Sequence, residues 1–426
     1  RKIDGFSSFD PRSEVLHCDK PGTGSVDAPR AFSLKLSRVT QEVCDLQPTT
    51  TDEELVLKHD RKSGKLLAIM SKHVDDLKLA GDKETITLII SALEKVFGKI
   101  KVEWHEFTNC GIRHCQNPQD LSVTLDQILY VEALKLIEHP ALKGADPESP
   151  LTPEVEALFR SLLGAAAFAL LTRVDVAVLI VALQRMASKA QVFHVKRLNT
   201  VVRFMQKHPM KIHYGKLDGE TVLLALSDSA FKKEDESGHA LKGGLFLLID
   251  SKYWEGNMSN CHLLEYVCSR ERHVTRSTFG AELFSACDVA DLAMLLACLL
   301  HQVKHGSMTP AAARRCRESG GWNVEIDLGI DAYSVFAAVT ASQVKAPAEK
   351  ALLSHVQYLR ELLDRHILAC IGWFDTRDMA TDGLTKGAVE REALQKIMSG
   401  QYGVVHKHQL WRSKLGNTKF STAHND

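Results

Sequence analysis

The sequence lacks the features that mark secreted and membrane proteins. Its ten cysteines form no Cys-x-x-Cys pair and no compact, even framework, which argues against a disulfide scaffold and favours reduced intracellular thiols. Cys110, His114 and Cys115 come nearest to a zinc box, but they have no further ligands at regular spacing. No apolar run indicates a membrane span and no signal peptide opens the chain, so we expect no membrane partner.

The sequence also lacks net charge. Its 53 basic residues balance its 53 acidic ones, so no overall basic excess indicates nucleic acid. Residues 176–217 are an exception, because these 42 positions contain no Asp or Glu. Such a segment attracts phosphate groups. Two helices with basic residues on their solvent-exposed faces would give the same pattern. Its basic residues are Arg185, Lys189, Lys196, Arg197, Arg203, Lys207, Lys211 and Lys216.

Length and composition allow more than one core. With 426 residues and 45% hydrophobic content, the chain is expected to form two to four domains. Residues 1–30 are rich in Gly, Pro, Ser and Asp, which predicts loops, and a helix is expected from Ala31. Residues 301–323 contain basic residues and glycines, which predicts a basic loop that either faces a substrate or is simply solvated. The chain begins at Arg1 rather than Met, so we expect it to be part of a longer protein.

Four acidic residues occur at the ends of predicted elements in the second half of the chain. The apolar run 222–226 leads into Ser227 and Asp228, which predicts a buried strand with a carboxylate at its end. The other three acids are Glu282 in the first turn of a long helix that begins near Ser277 or Thr278, Asp331 at the end of an apolar strand, and Asp382 on a short helix after the strand 367–374. Asp378 is the alternative to Asp382.

These acids predict a metal site. Carboxylates within a few ångströms of each other repel, and they stay ionised only with cations between them. Asp and Glu oxygens select Mg²⁺, with Mn²⁺ as the alternative. Two such ions roughly 4 Å apart can activate a water and stabilise the leaving oxygen of a phosphodiester. Each acid alone is more often a solvated strand or helix end, so the prediction of a nuclease site rests on the ordered set.

A second acidic feature lies near the N-terminus. Segments 55–57 and 66–71 are expected to pair around residues 60–65, and His73-Val74-Asp75-Asp76 follows. Adjacent side chains on a strand point to opposite faces, so Asp75 and Asp76 can share a metal only at a sharp turn. Polymerases hold a catalytic Mg²⁺ with such a pair, and a solvated Asp-Asp turn is the alternative.

A series of short motifs runs in order between about residues 10 and 386. The first are DAPRAFSLKL (27–36), HVDDLKLAG (73–81), NCGIRHCQ (109–116), LDQILYVEAL (125–134) and FRSLLGAAAFALLTRVDVAV (159–178), with His194 after them. The later ones are SDSAF (227–231), AELFSA (281–286), DAYS (331–334), YLRELL (358–363) and TRDMATDGLTKG (376–387). In this order they resemble the reverse transcriptase and ribonuclease H parts of copia-type retrotransposon Pol polyproteins.

The resemblance implies an α/β chain of the α+β multidomain kind. It implies a partial polymerase palm over 1–105, a thumb and helical connection over 106–220, a ribonuclease H-like five-stranded mixed sheet flanked by helices over 221–390, and a tail over 391–426. The second and third strands of that sheet are expected near 243–250 and 263–269, antiparallel to the first. The spacing of Asp382 to Leu384-Thr385-Lys386 matches the family ending and favours Asp382 over Asp378.

The resemblance also implies ligands and partners. Mg²⁺, or Mn²⁺, would be held by Asp75 and Asp76 and by Asp228, Glu282, Asp331 and Asp382. The partners would be a template-primer, an RNA/DNA hybrid and the rest of the polyprotein, in a cytoplasmic particle or the nucleus. The expected nucleic-acid contacts are Arg30, Arg185, Lys189, Lys196, Arg197, Arg203 and Lys207.

The chain departs from the family in several places. The family's first palm Asp lies upstream of the DAPRAFSLKL motif, before this sequence begins, so we expect this chain alone to extend a primer inefficiently. His73 replaces a Tyr, Val174 replaces a Pro, and only Lys350 remains of a Lys-His pair. The expected activity is hydrolysis of RNA in RNA/DNA hybrids. The alternatives are an inactive or host-adopted nucleic-acid-binding relic and an unrelated α/β metal-dependent phosphohydrolase.

Overall fold

The described part of the chain forms two compact units. A computed structural model describes residues 10, 12–14, 25–217, 219–231 and 239–414, and the chain divides into the units Arg1–Lys101 and Val102–Asp426. The loops expected over residues 1–30 and the end of the expected tail lie mostly outside the described residues.

The first unit combines an antiparallel sheet with helices. Its strands lie side by side in chain order and are β1 (Gln47–Pro48), β2 (Leu55–His59), β3 (Leu66–His73) and β4 (Asp76–Gly81). Its helices are α1 (Ala28–Arg38), which continues as a π-helical turn over Val39–Val43, and α2 (Lys83–Phe97). Helix α1 begins before the expected start at Ala31, because Pro29 fits a first helical turn, where its missing N–H is not needed.

The hairpins of this unit follow the sequence pattern. Strands β2 and β3 pair antiparallel around residues 60–65, and each extends beyond its predicted end. In the next hairpin His73 pairs with Asp76, which leaves Val74 and Asp75 as a two-residue turn. Val74 has a φ of 55°, a left-handed conformation that is uncommon for a β-branched residue. The chain therefore reverses sharply at the acid pair, as predicted.

The second unit begins with a small sheet and a group of helices. In chain order its first elements are β5 (Glu106–Asn109), β6 (Ile112–Gln116), β7 (Val123–Asp126), α3 (Ile128–Glu132), α4 (Pro153–Phe168), α5 (Ala177–Arg185), α6 (Val192–Lys207) and β8 (Ile212–Tyr214). Strands β5 to β8 pair antiparallel in chain order. Helices α4, α5 and α6 bury a shared core that includes Phe159, Ile180 and Leu198.

A large mixed sheet completes the second unit. Its elements in chain order are β9 (Thr221–Ala230), β10 (Leu241–Asp250), β11 (Ser259–Arg270), α7 (Thr278–His305), α8 (Pro310–Ser319), β12 (Glu325–Ile330), α9 (Tyr333–Thr340), α10 (Leu353–Asp364), β13 (Cys370–Phe374), α11 (Asp382–Thr385), α12 (Glu392–Met398), β14 (Gln401–Tyr402) and β15 (His408–Trp411). The strand order is β14-β11-β10-β9-β12-β13-β15. Strands β9, β10 and β11 are antiparallel, whereas β12 is parallel to both β9 and β13. The chain is therefore of the mixed α/β class.

The expectation of a five-stranded sheet followed by a tail is wrong. The five expected strands are present in the centre, but β14 and β15, from the segment assigned to a tail, add one strand to each edge. Helix α12 lies in the same segment and buries Leu394, Ile397 and Met398. Two strands of two and four residues carry almost no periodic signal, so the sequence pattern did not reveal them.

The two faces of the sheet carry separate cores because side chains alternate along β9. Leu223 and Ala225 belong to a core with α7, α9 and α10. Leu224 and Leu226 belong to the opposite core, which includes Leu384 of α11 and residues of α12. Helices thus cover both faces, and elements from the two layers meet at the end of β9.

Helix α7 corrects the expectation that no segment could span a membrane. It has 28 residues and is apolar enough for a span by length and composition. More than half of its most apolar window is buried in the second unit, on the sheet. A core helix passes the same test, so α7 is weak evidence for a membrane.

Arg173 and Asp175 tie the helices α4–α6 to the large sheet. Both are almost fully buried, at 2% and 0% exposure, and the guanidinium donates to each carboxylate oxygen at 2.9 Å. Arg173 also donates to the carbonyl of Met205 in α6, and Gln395 of α12 donates to Asp175. Removing one partner of such a buried pair costs about 3–5 kcal/mol. The boundary expected at residue 220 therefore lies inside one compact unit.

Candidate metal centre

The strand register brings Asp228 and Asp331 together. The parallel pairing of β9 with β12 ends where Ser227 lies opposite Ile330, and each acid is the next residue of its chain. The predicted strand does not stop at Asp228, because β9 continues to Ala230 in its antiparallel pairing with β10. The two carboxylates therefore lie next to each other at the end of the parallel ladder.

Glu282 reaches this place from helix α7. The helix begins at Thr278, with the Ser277 hydroxyl accepting from the N–H of Gly280 at 3.1 Å, as the sequence predicted. Glu282 is the fifth helical residue, so the expectation that it lies in the first turn, where the helix dipole acts most, is wrong. The packing of α7 on the sheet places Glu282 beside the other acids.

Three of the four expected acids converge. Oxygen atoms of Asp228, Glu282 and Asp331 all lie within 4.8 Å of one another, and Asp228 and Glu282 are only 1% and 8% exposed. Burial, and then the neighbouring charges of Asp228 and Asp331, raise the pKa of Glu282 to about 9. Burial and Asp228 also raise the pKa of Asp331. Without a cation Glu282 therefore holds a proton at neutral pH.

Asp382 is the fourth member of the site and is joined to it by a lysine. It is 7% exposed at the start of α11, and the Lys386 ammonium lies 2.5 Å from its Oδ1 and 3.6 Å from Oδ1 of Asp228. Burial, and then the charge of Asp228, raise the pKa of Asp382 to about 6. Burial opposes the charge on Lys386, but the carboxylates of Asp228, Asp382 and Asp331 outweigh it and raise the pKa of the ammonium.

Asp378 has a different task. Its Oδ2 accepts from the N–H groups of Val405 and His406 at 3.1 and 2.7 Å, and its Oδ1 lies 2.8 Å from the His406 ring nitrogen Nδ1. These contacts fix the segment that leads into β15. This geometry favours Asp382 over Asp378 as the fourth acid.

Thr385 and Gly243, which were not predicted as site residues, shape the site. The Thr385 hydroxyl donates to Oδ2 of Asp228. Gly243 of β10 pairs with Asp228, and a Cβ atom there would lie 2.8 Å from the Thr385 methyl carbon, so only glycine lets α11 approach the sheet this closely. No sequence spacing links residues 142 positions apart, so this role could not be predicted.

Arg391 holds the turn after α11. It donates to the carbonyls of Gly383, Lys386 and Gly387 at 2.6, 2.9 and 3.0 Å. A cation at the carbonyl end of a helix satisfies groups that have no partner within it. Arg391 thereby fixes the backbone from which Lys386 extends.

The donor set fits hard divalent cations. It consists of carboxylate oxygens alone, which suit Mg²⁺ and Mn²⁺ and give soft metals no thiolate or imidazole. Oδ1 of Asp228 is buried and accepts no hydrogen bond, although buried carboxylate oxygens normally have a donor. A cation would satisfy this oxygen and offset the repulsion among Asp228, Glu282 and Asp331.

Comparisons with known proteins were negative. No protein-family model matches the chain, and no curated protein matches it. What the motifs imply about activity is therefore argued from the geometry of the site.

Asp75 and Asp76 do not gather a third acid. Both are exposed at the β3–β4 turn, and the described residues of the chain contain one group of three metal-ligating side chains, formed by Asp228, Glu282 and Asp331.

The expected nucleic-acid contacts are all exposed. Arg30 lies on α1, Arg185 ends α5, and Lys189 follows in a short 3₁₀ turn. The remaining ones lie on α6, where Lys196, Arg203 and Lys207 share one face at helical spacing and Arg197 lies 4.9 Å from the Phe193 ring centre. The opposite face of α6 is buried, so the helix presents its basic residues to solvent.

The second basic stretch is a helix rather than the expected loop. Arg314, Arg315 and Arg317 are exposed on α8, which follows the C-terminal end of α7. At 1.5 Å per residue, the α7 axis from Glu282 to His305 measures roughly 35 Å. The solvated alternative therefore fits α8 better than a contact with substrate at the acids.

Three other motif residues lie outside the acid cluster. Cys110 is exposed, His114 is buried with its Nδ1 3.0 Å from the Ile112 carbonyl, and neither belongs to a metal-ligating group of the described chain. His194 is buried and accepts from the N–H of Gln191 at 3.0 Å, which caps α6. His114 and His194 therefore stabilise local structure.

Proposed function

We propose that this chain is a ribonuclease H-type nuclease belonging to a copia-type reverse transcriptase, which hydrolyses the RNA strand of RNA/DNA hybrids with two Mg²⁺ ions. The observation that carries the proposal is the convergence of Asp228, Glu282 and Asp331 within 4.8 Å, beside Asp382. An Asp228–Asp331 separation above about 10 Å would have left no place for a shared ion pair.

The order of the central strands supports the proposal. Three antiparallel strands, then a long helix, then two parallel strands give the arrangement β11-β10-β9-β12-β13, with the acids at one end of β9 and β12. The motif resemblance implies a ribonuclease H-like sheet of this kind. The acids also occur in the implied order of strand, helix, strand and short helix.

The proposed chemistry divides between ions and protein. Bound Mg²⁺ supplies an activated water and stabilises the leaving 3′ oxygen of the RNA. Asp228, Glu282, Asp331 and Asp382 would hold the ions, and the Thr385 hydroxyl orients Asp228 by donating to its Oδ2. The buried setting of Asp228 and Glu282 excludes water and strengthens these charge interactions.

The basic face of α6 supports a hybrid as substrate. Lys196, Arg203 and Lys207 belong to the same compact unit as the acids, and phosphate contacts of this kind give affinity without sequence preference. Arg185, Lys189 and Arg197 lie beside this face in sequence.

A cleavage assay tests the proposal. The chain is incubated in the presence of Mg²⁺ with one substrate at a time. The substrates are an RNA/DNA hybrid, an RNA duplex, a DNA duplex and a small phosphodiester. We expect cleavage of the RNA strand of the hybrid alone, and its loss in Asp228→Asn. Asp250→Asn is the matched control, because Asp250 ends the neighbouring strand β10 opposite Thr221, at the other end of the sheet.

The other outcomes identify the alternatives. Hybrid binding without cleavage by the folded chain would indicate an inactive nucleic-acid-binding protein. Cleavage of the small phosphodiester alone would indicate a phosphohydrolase unrelated to ribonuclease H.

A further inference from the structure

A lysine lies among the acids of the candidate metal centre. The Lys386 ammonium is 2.5 Å from Oδ1 of Asp382 and 3.6 Å from Oδ1 of Asp228. The latter is the buried oxygen that has no hydrogen-bond donor. Lys386 thus places a positive charge 3.6 Å from a buried carboxylate oxygen that accepts no hydrogen bond.

The two ends of this residue are held differently. Its carbonyl accepts from Arg391 at 2.9 Å, so the backbone is fixed. Its side chain is 39% exposed, whereas that of Asp228 is 1% exposed. The ammonium can therefore leave the acids and reach solvent without moving α11.

We propose that Lys386 is a positioning residue that makes the two cation positions of the proposed nuclease unequal. This inference rests on the proposed function. The ion held by Asp228, Glu282 and Asp331 is bound by three carboxylates and only has to repel the ammonium from Oδ1 of Asp228, 3.6 Å away. An ion drawn between Asp228 and Asp382 has to displace the ammonium that already neutralises them.

The displaced ammonium links metal loading to substrate binding. A divalent ion near Asp228 repels Lys386, and that repulsion is offset only when the lysine finds another anion. A phosphate of the nucleic acid supplies this anion at the mouth of the site. The second ion therefore binds weakly to the free protein and tightly to its complex with a hybrid. The second cation position thus stays mostly empty until the substrate binds.

Mn²⁺ titration followed by electron paramagnetic resonance tests this without an activity measurement. The full chain is titrated in the absence of nucleic acid, as wild type, Lys386→Met and Lys386→Arg. The methionine keeps the length of the side chain and removes its charge, and the arginine keeps the charge. Lys396→Met is the matched control, because Lys396 also pairs with an acid four residues earlier, Glu392, on α12.

We expect one tight and one weak Mn²⁺ in the wild type. Lys386→Met should raise the affinity of the weak Mn²⁺ about tenfold, because one competing positive charge is removed, and should raise the affinity of the tight Mn²⁺ much less. Lys386→Arg and Lys396→Met should both resemble the wild type. Adding a non-cleavable hybrid should tighten the weak ion in the wild type and do so much less in Lys386→Met.

Two results would overturn the inference and can be told apart. If Mn²⁺ binds and the hybrid is cleaved, but Lys386→Met leaves the weak ion unchanged or weakens it, Lys386 does not compete for that position and the proposed function survives. If neither the wild type nor any variant binds Mn²⁺, and Asp331→Asn leaves hybrid cleavage unchanged, the proposed function fails together with the inference.

Discussion

At the scale of single residues, the two oxygens of Asp228 have different surroundings. Oδ2 accepts the Thr385 hydroxyl, while Oδ1 is buried without a donor and faces Lys386. A second-layer hydroxyl of this kind decides which oxygen remains for a metal. Sequence spacing pointed to Asp228, but only the packing of α11 shows which of its oxygens is open.

Replacing Thr385 should impair the site without unfolding it. Thr385→Val keeps the shape of the side chain and removes the donor, so Asp228 loses its fixed orientation. We expect Mn²⁺ affinity and hybrid cleavage to fall about 10–100-fold. Thr385→Ser, which retains the hydroxyl, should stay close to wild type, and equal losses in both variants would contradict this role.

The stability of the metal-free protein should fall as pH rises. The pKa of Glu282 is about 9 in the folded chain, far above its ordinary value, so the folded state keeps a proton that the unfolded state releases. The resulting stability is complete below about pH 4.5 and is lost as pH approaches about 9. The raised pKa values of Asp382, about 6, and Asp331 act in the same direction.

Urea unfolding in the presence of a chelator, between about pH 5 and 9, measures this effect. Glu282→Gln cannot ionise, so its stability should fall less steeply with pH than that of the wild type. A wild-type slope equal to that of the variant would show that Glu282 is not held protonated. Excess Mg²⁺ should flatten the wild-type slope, because the ion replaces the proton.

At the scale of elements, the contact between α11 and β10 sets the site. Helix α11 has only four residues, and its place depends on Gly243, Leu384 and Arg391 rather than on its own helical preference. The long helix α7 is the opposite case, since its cap and apolar spacing were readable in the sequence. Its packing on the sheet nevertheless decided which turn faces the acids.

Enlarging Gly243 should separate α11 from the sheet. A Cβ at this position would lie 2.8 Å from the Thr385 methyl carbon and 3.1 Å from Cβ of Leu384. We expect Gly243→Ala to destabilise the chain by about 1–3 kcal/mol and to weaken Mn²⁺ binding, because Thr385 moves away from Asp228.

Gly164→Ala provides the control for this substitution. Gly164 lies in α4, and a Cβ there meets nothing within 4 Å. It should stabilise the chain by about 0.5–1 kcal/mol. The urea midpoints and Mn²⁺ affinities of the two variants are compared with those of the wild type. A wild-type metal affinity in Gly243→Ala would show that α11 tolerates the shift.

At the scale of the whole molecule, the second unit combines the acids and the basic helix α6 in one compact body. The buried pair of Arg173 and Asp175 connects the helical part to α12, so the region expected to be a separate connection folds with the sheet. The motif Thr-Arg-Val-Asp thus stabilises the unit rather than contacting substrate. The two edge strands formed after Arg391 belong to the same body.

Hybrid binding should depend on salt through α6. Changing Lys196, Arg203 and Lys207 together to Gln removes three phosphate partners from one exposed face. We expect the slope of log K against log salt to fall by about one unit per residue, measured with Asp228→Asn so that the hybrid is not cut. The same change at Arg314, Arg315 and Arg317 of α8 should leave the slope unaltered, and equal effects would contradict the assignment.

The sequence by itself determined the local features of this protein. The apolar run before Asp228, the cap at Ser277 and the Asp75-Asp76 turn depend on neighbouring residues, and each was readable from its own segment. The order of strands and helices also pointed to Asp228, Glu282 and Asp331, which the structure brings together.

Tertiary structure decided the rest. The parallel register of β9 with β12 set the distance between Asp228 and Asp331, and the close approach at Gly243 set Thr385 against Asp228. The contact of Lys386 with Asp228, the contacts of Asp378 with Val405 and His406, and the edge strands after Arg391 depend on partners that are distant in the chain. Contacts of this range arise from packing, which residue spacing does not encode.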